Sequence, residues 1–244
     1  MELATNIIIL LLGISILVWG ANKFIDHSSV ISKHMGISDL AIGLTLIAFG
    51  TSAPEIFVGI SSIINQNEEI ALGTAIGSNI SNIALIFGVS CLYLTGPSKT
   101  QLWNFVPFGL SVILLGLTLV DGKISFNESM GFVGIFMIFV FILFKSDSLV
   151  EEKSEVTNNF RRSLFMSLIG LVALIGGANI AVVYAENTAL LLGISKLIIG
   201  LTIVALGTSL PEFAATIVAL RKGKHQMVVG NIIGSNVFNL VFII

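Results

Sequence analysis

The chain has 244 residues, 55% hydrophobic and 11% charged, with a formal net charge of −2 and a mean hydropathy of +1.01. That balance lies outside soluble globular usage and inside the polytopic membrane class, and it leaves no basic field for nucleic acid. The single cysteine, Cys91, can form no internal disulfide, so cysteine usage points to no redox compartment.

A hydrocarbon core about 30 Å thick takes roughly 20 apolar residues as a helix, the form that satisfies its own backbone. The sequence therefore predicts an all-α membrane protein, a polytopic helix bundle with eight spans. They fall at Thr5–Ile25, Ile37–Ile64, Ile70–Leu94, Leu102–Val120, Phe126–Phe144, Ser163–Ala185, Ile194–Leu220 and Met227–Ile244. The first follows Glu2 instead of a basic stretch and lacks a small-residue cleavage site, so it reads as a retained span and not a signal peptide. Breaks carry turn or charge signals, as in "NQNEE", "TGPSKT" and "DGK". The longest polar stretch, Lys145 to Arg162, mixes both signs and reads as a solvated linker. The organisation expected is a first half at 1–145, a cytoplasmic linker at 146–162 and a second half at 163–244.

Threading the spans places Lys23, Lys33, Lys99, Lys145, Lys153, Arg161, Arg162, Arg221, Lys222 and Lys224 on one side of the membrane. The other side keeps only Lys123 and Lys196. Short basic loops stay cytoplasmic, so the N-terminus is expected outside.

The chain also repeats itself. The shift of 157 positions that carries Glu55 onto Glu212 carries Gly13 onto Gly170, Gly20-Ala21-Asn22 onto Gly177-Ala178-Asn179, and Gly36-Ile37-Ser38 onto Gly193-Ile194-Ser195. It continues through Gly43-Leu44-Thr45 and Gly77-Ser78-Asn79 to Asn82, which falls on Asn239. Lipid selects apolar character, but it does not select Gly, Asn, Ser, Pro and Glu in fixed register. The first copy starts at span one and the second at span six, so the two copies insert upside down. Inverted repeats broken by Gly and Pro in corresponding spans are the mark of a secondary transporter with a site near the midplane.

At the centre of each copy stands one motif, "GTSAPE" at Gly50–Glu55 and "GTSLPE" at Gly207–Glu212. Proline lacks an N–H and clashes with the carbonyl four residues back, so Pro54 and Pro211 break their helices. The breaks present Thr51, Ser52 and Glu55 opposite Thr208, Ser209 and Glu212, two matching sets of hard oxygen donors suited to Na⁺ or Ca²⁺. Transition metals usually recruit Cys or His, and His27, His34 and His225 lie at span ends. Ser78 with Asn82, and Ser235 with Asn239, each share one helix face at four-residue spacing. Gly73 and Gly77, like Gly230 and Gly234, have the spacing that lets helices approach closely, although ordinary membrane packing uses it too.

Of the 14 acidic residues, only Glu55 and Glu212 lie deep within spans. A charge at that depth costs roughly 2.5–3.5 kcal/mol on insertion scales. No Lys or Arg reaches them, so both carboxylates are expected to face a cavity and hold a cation or a proton.

"GLTLIAFGTSAPE…GSNISN" and "GLTIVALGTSLPE…GSNVFN" resemble the two α-repeats of the sodium/calcium exchanger family within the calcium/cation antiporters. The resemblance covers spans one to three and six to eight. It implies that Ca²⁺ and Na⁺ compete for one central cluster made of Thr51, Ser52, Glu55, Ser78 and Asn82 with Thr208, Ser209, Glu212, Ser235 and Asn239. Backbone carbonyls of Ala48 and Ala205 would join them, no cofactor is needed, and the first and sixth helices would slide together across the core. The family pattern departs in two places. Many sodium-coupled members carry Asp where this chain has Asn239, which leaves two negative charges, enough for one Ca²⁺ or two H⁺, and makes H⁺ a rival counter-ion. The pattern also expects two helices after the eighth span, so the sequence reads as a piece of a longer transporter, completed by missing C-terminal helices or by another chain.

The leading expectation is Ca²⁺/Na⁺ antiport across a cell membrane, with Ca²⁺/H⁺ antiport second. A cation channel also lines its pore with carboxylates and carbonyls, but many channels are built from parallel units around a rotation axis. An intramembrane hydrolase lacks a deep histidine to activate Ser52 or Ser209. The short linker leaves no room for a large regulatory loop, as expected of a prokaryotic plasma-membrane form.

Overall fold

The computed structural model describes residues 2–93, 101–120, 124–147, 160–199, 202–203 and 205–244, with backbone alone at 144–147, 197 and 205. The described residues are helical, with turns between. In chain order the helices are α1 (Glu2–Met35), α2 (Asp39–Thr51), α3 (Ala53–Ile64), α4 (Glu68–Cys91), α5 (Leu102–Thr118), α6 (Phe126–Asp147), α7 (Phe160–Leu191), α8 (Lys196–Ile199), α9 (Ala205–Gly207), α10 (Leu210–Arg221) and α11 (His225–Ile243). By length and composition five of them can cross a membrane, six if α2 and α3, which meet at 50°, count as one broken span. The eight expected spans are thus not all present as full-length helices. Leu102–Thr118 is a shorter apolar helix, and the expected span Ile194–Leu220 divides into α8, α9 and α10 around positions outside the described residues. The expected linker at 146–162 is flanked by α6 and α7, and its positions 148–159 also lie outside them.

The duplication is visible in the turns. Helix α1 runs on past the expected span end at Ile25, because nothing breaks it before Gly36, which turns the chain at φ 68°. There the Gly36 N–H reaches Lys33 O and the Ile37 N–H reaches Ser32 O, a Schellman turn that satisfies the last carbonyls. The turn recurs 157 residues on, where Gly193 has φ 78° and bonds Leu190 O. A second matched pair closes α3 and α10: Gln66 at φ 60° and Gly223 at φ 68°. Ser38 and Ser195 cap the helices that follow α1 and α7, accepting from the Ala41 and Ile198 N–H groups.

Helices α1 and α7 form one antiparallel pair, sealed by glycines in register. A Cβ on Gly20 would lie 2.4 Å from Leu174 N, and a Cβ on Gly177 would lie 2.4 Å from Leu17 N. Each contact is the other shifted by 157, and the order of contacts (Gly13 with Ala181, Gly20 with Leu174, Phe24 with Gly170) runs in opposite directions along the two helices. The first helices of the repeats are therefore inverted relative to each other, as parity predicts.

Helix α11 is the axis of the bundle: 83% of its apolar window is buried, against 17–33% for the other spanning helices. Gly230 and Gly234 let it lie directly on α2, where their Cβ positions would be 2.6 Å from Leu40 O and 2.5 Å from the Ala48 Cβ. Gly73 and Gly77 do not repeat this: both are exposed and a Cβ on either would meet nothing within 4 Å among the described residues, so the close approach expected of them is not seen there. Phe238 of α11 adds edge contacts with Phe49 of α2 and Phe139 of α6, at 5.5 and 5.9 Å between ring centroids. Two ion pairs, Lys222–Asp26 and Lys224–Asp39, tie the α10–α11 turn to the ends of α1 and α2.

Candidate cation site

Both breaks fall where proline dictates. Helix α2 ends at Thr51 and α3 restarts at Ala53, so Pro54 sits in a first turn where a missing N–H costs nothing. Pro211 does the same at the start of α10. Ahead of its break, α2 widens into a π-type turn at Gly43–Ile47, and α4 widens at Asn82–Phe87. Such turns misalign the backbone ladder and are frequent at functional sites. Thr45 adds to the bend by donating back to Ala41 O at 2.7 Å, as Thr202 does to Ile198 O.

Across the gap between breaks, the Ser52 hydroxyl donates to Glu212 Oε1 at 3.0 Å. These two residues stand 160 apart in sequence, and through them the two motifs meet in the interior. Glu55 is wholly inaccessible and Glu212 2% exposed. Thr51, Ser78, Asn82, Ser209, Ser235 and Asn239 are all buried as well, and Thr208 is half-buried. Ser235 reaches the Ala48 carbonyl at 3.5 Å. That carbonyl also accepts the Ser52 N–H at 3.0 Å and faces Thr51 Oγ1 at 3.3 Å, so a cation would compete there with three donors. Among the described residues no hydrogen bond joins Ser78, Asn82 or Thr208 to the cluster. Ala205 opens α9 beside a position outside the described residues, and nothing tests its carbonyl.

Four polar residues that sequence spacing did not select belong to the same interior. Asn79 donates to Asn236 O at 3.2 Å, a contact between a residue and its own repeat counterpart, which marks the pseudo-twofold axis. Asn239 donates to Asn79 Oδ1 at 3.4 Å. On the other flank Asn231 joins Thr51 to Thr216. The signal for Asn79 and Asn236 was available, since both stand in the repeated Gly-Ser-Asn triplet. Asn231 and Thr216 have no repeat counterparts of their own type and gave none.

The oxygens left over define what the site can do. Both carboxylate oxygens of Glu55, Oε2 of Glu212, Oγ of Ser209 and the Oδ1 atoms of Asn82, Asn236 and Asn239 are buried with no hydrogen-bond partner among the described residues. Unpaired buried polar atoms are rare in folded proteins and each calls for an explanation. Asn82 Nδ2 is unpaired too, as are His27 Nδ1, Ser28 Oγ and Ser81 Oγ away from the two motifs, but most of these atoms are oxygens of the repeated motifs, and the described ion pairs lie at the helix ends. Among the described residues no group of three or more His, Cys, Asp and Glu could hold a metal ion. The chemistry offered is that of a hard cation in an oxygen cage, not of a Cys/His metal centre.

Comparison with known proteins decides the family. The model of the family described as "Sodium/calcium exchanger protein" matches residues 5–145 and 162–244. The chain belongs to that family. Relatives of this exchanger include the Sodium/calcium exchanger MaX1 of Methanosarcina acetivorans, 32% identical over 99% of this chain and 82% of the relative. The inner membrane protein YrbG of Escherichia coli is 33% identical over 100% of this chain and 79% of its own length. Among solved structures, the Sodium/Calcium Exchanger from Methanococcus jannaschii superposes with a TM-score of 0.85 at 32% identity, covering 98% of this chain and 79% of that one. The inverted helical bundle is the exchanger fold, and the protein is a membrane cation antiporter.

Proposed function

We propose that this exchanger moves Ca²⁺ against Na⁺ by letting both ions compete for Glu55 and Glu212. The observation that carries the reading is Glu55, a fully buried carboxylate whose two oxygens have no hydrogen-bond partner among the described residues. Stripping water from such a group without a counter-charge costs several kcal/mol. Lys222 and Lys224 are already engaged with Asp26 and Asp39 at the helix ends. A cation from solution supplies the missing partner, and Ca²⁺ takes 6–8 oxygens of the kind that Glu55, Glu212, Ser209, Asn82, Asn236 and Asn239 offer. The Thr51, Ser52, Ser78, Thr208 and Ser235 hydroxyls, with the Ala48 and Ala205 carbonyls, complete the donor set once their own hydrogen bonds rearrange.

Competition supplies the coupling. Two carboxylates neutralise one Ca²⁺, and Na⁺ arriving at the same oxygens releases it. The inverted halves, 1–145 and 163–244 joined through 146–162, have two mirror-related arrangements that open the site to opposite sides. Helices α1 and α7 would travel as one unit, because their glycine contacts make them a single packed body. The N-terminus lies outside and the basic loops inside, in a bilayer that serves as the solvent for the exposed apolar faces. Relatives that are sodium/calcium exchangers by name, such as MaX1, support the same two ions.

Radiolabelled Ca²⁺ uptake into proteoliposomes tests this. An imposed Na⁺ gradient is expected to drive uptake, and Glu55→Gln to abolish it. Full Na⁺-driven flux in Glu55→Gln would overturn the site. Uptake driven by a pH gradient in Na⁺-free buffer, and not by Na⁺, would make H⁺ the counter-ion at the same carboxylates, the reading that Asn239 favours by withholding a third charge.

A further inference from the structure

The two repeats share their motif letters but not their hydrogen bonds. Shifted by 157, the bond from Ser52 to Glu212 becomes one from Ser209 to Glu55, and the bond from Asn239 to Asn79 becomes one from Asn82 to Asn236. The first member of each pair is formed, at 3.0 and 3.4 Å. In the second member of each pair the atoms concerned have no hydrogen-bond partner among the described residues: Ser209 Oγ, both Glu55 oxygens, Asn82 Nδ2 and Asn236 Oδ1. The site is closed around Glu212 and open around Glu55, although the residues making these bonds are the same in both halves. Identical halves would make this arrangement and its twofold-related counterpart equal in energy, so a preference for one of them needs a residue that differs between the halves.

Asn231 is such a residue. It is 2% exposed, and it accepts the Thr51 hydroxyl at Oδ1, 3.2 Å, while its Nδ2 donates to Thr216 Oγ1 at 3.1 Å and lies 3.5 Å from Glu212 O. The repeat counterpart of Asn231 is Thr74, whose hydroxyl turns back to Ile70 O on its own helix at 2.8 Å. The counterpart of Thr216 is Gly59, which has no hydroxyl, and a Cβ there would lie 2.5 Å from Ile243 Cγ2, so a side chain at that position would have to displace the Ile243 side chain. The Thr216–Asn231–Thr51 chain therefore exists in one half only, and it crosses from the second half into the first.

We propose that Asn231 is a positioning residue of the cation site, which fixes the Thr51 hydroxyl and the α10 break together and so makes the Glu212-closed arrangement the favoured one of two mirror-related states. By accepting the Thr51 proton it leaves the Thr51 lone pairs free for a cation. By donating to Thr216 it holds its own amide in the orientation this requires. A ligand-free bias follows: one facing state carries these hydrogen bonds and its mirror image cannot. The inference rests on the reading of this cluster as the transported-cation site.

The test is Ca²⁺/Na⁺ exchange in vesicles of known sidedness, with the half-saturating Ca²⁺ concentration measured separately at each face. Asn231→Thr gives the position the residue its counterpart has, and Thr216→Val removes the hydroxyl while keeping the shape. Each is expected to move the ratio of the two half-saturating concentrations by about tenfold, the factor that loss of one or two buried hydrogen bonds produces. Thr216→Ser is expected to restore the wild-type ratio. A merely structural role would lower flux without moving the ratio. An unchanged ratio in both Asn231→Thr and Thr216→Val, in vesicles whose wild type exchanges normally, would overturn the role of Asn231 alone. A wild type that exchanges no Ca²⁺ for any cation would overturn the reading of the site beneath it.

Discussion

Replacing Gly177 with alanine probes the inverted pair of helices directly. The new Cβ would stand 2.4 Å from Leu17 N, 2.8 Å from Leu17 Cα and 2.9 Å from Gly13 O, all backbone atoms that no rotamer change can move. Ordinary contact begins at 3.4 Å, so α1 and α7 must part by about 1 Å along much of their shared length. Overpacking of this kind costs about 1–3 kcal/mol, and the better helix propensity of alanine returns about 1 kcal/mol. A net loss of up to about 2 kcal/mol is expected, or up to about 8 °C in the thermal midpoint in detergent, and about 1–3 kcal/mol relative to a glycine-to-alanine change that meets no obstacle. Gly20→Ala meets the mirror-image obstacle, 2.4 Å from Leu174 N, and is expected to lose the same amount. The double variant should lose less than the sum, because one separation relieves both contacts. Gly176→Ala, which meets nothing within 4 Å among the described residues, is the control and is expected to be neutral or stabilising. A Gly177→Ala protein melting with the Gly176→Ala control, or Gly20→Ala and Gly177→Ala shifting in opposite directions, would refute the packing argument.

Three further outcomes follow from single positions. Gln66 occupies the left-handed turn for which its counterpart uses Gly223, and Gln66→Gly is expected to raise the thermal midpoint by relieving about 0.5–1 kcal/mol of strain. Ser52→Ala removes the donor that holds Glu212 at 3.0 Å, and about tenfold weaker half-saturation by Ca²⁺ in the flux assay is expected, the effect of losing a charge-assisted hydrogen bond. Asn239→Asp would add a third buried carboxylate beside Asn79 while forfeiting the 3.4 Å amide bond. It is expected to shift exchange toward more Na⁺ per Ca²⁺, read as a larger inward current per Ca²⁺ moved.

The sequence announced the architecture because the duplication is written in residues that geometry constrains. Gly36 and Gly193, Ser38 and Ser195, and the two Pro-Glu breaks recur at one interval, and each pair does the same work in both halves. The same logic concealed part of the site. Choosing residues that recur, and that share a helix face at four-residue spacing, selected Ser78 and Asn82. It passed over Asn79 and Asn236, which meet on the pseudo-twofold axis, a position no single-helix pattern can reveal. Asn231 and Thr216 were invisible for the opposite reason: Thr74 and Gly59 stand in their places, and a search for repetition discards what one half does alone. Hydropathy counts apolar runs and not continuous helices: among the described residues five helices are long and apolar enough to cross, six with the broken pair α2–α3, and Leu102–Thr118 is a shorter apolar helix.

Ca²⁺ titrated calorimetrically onto the purified exchanger in Na⁺-free buffer tests the central claim most directly. A single ion is predicted to bind per chain, to be displaced by added Na⁺, and to be lost in the Glu55→Gln/Glu212→Gln double variant. Undiminished Ca²⁺ binding by that folded variant would contradict the account.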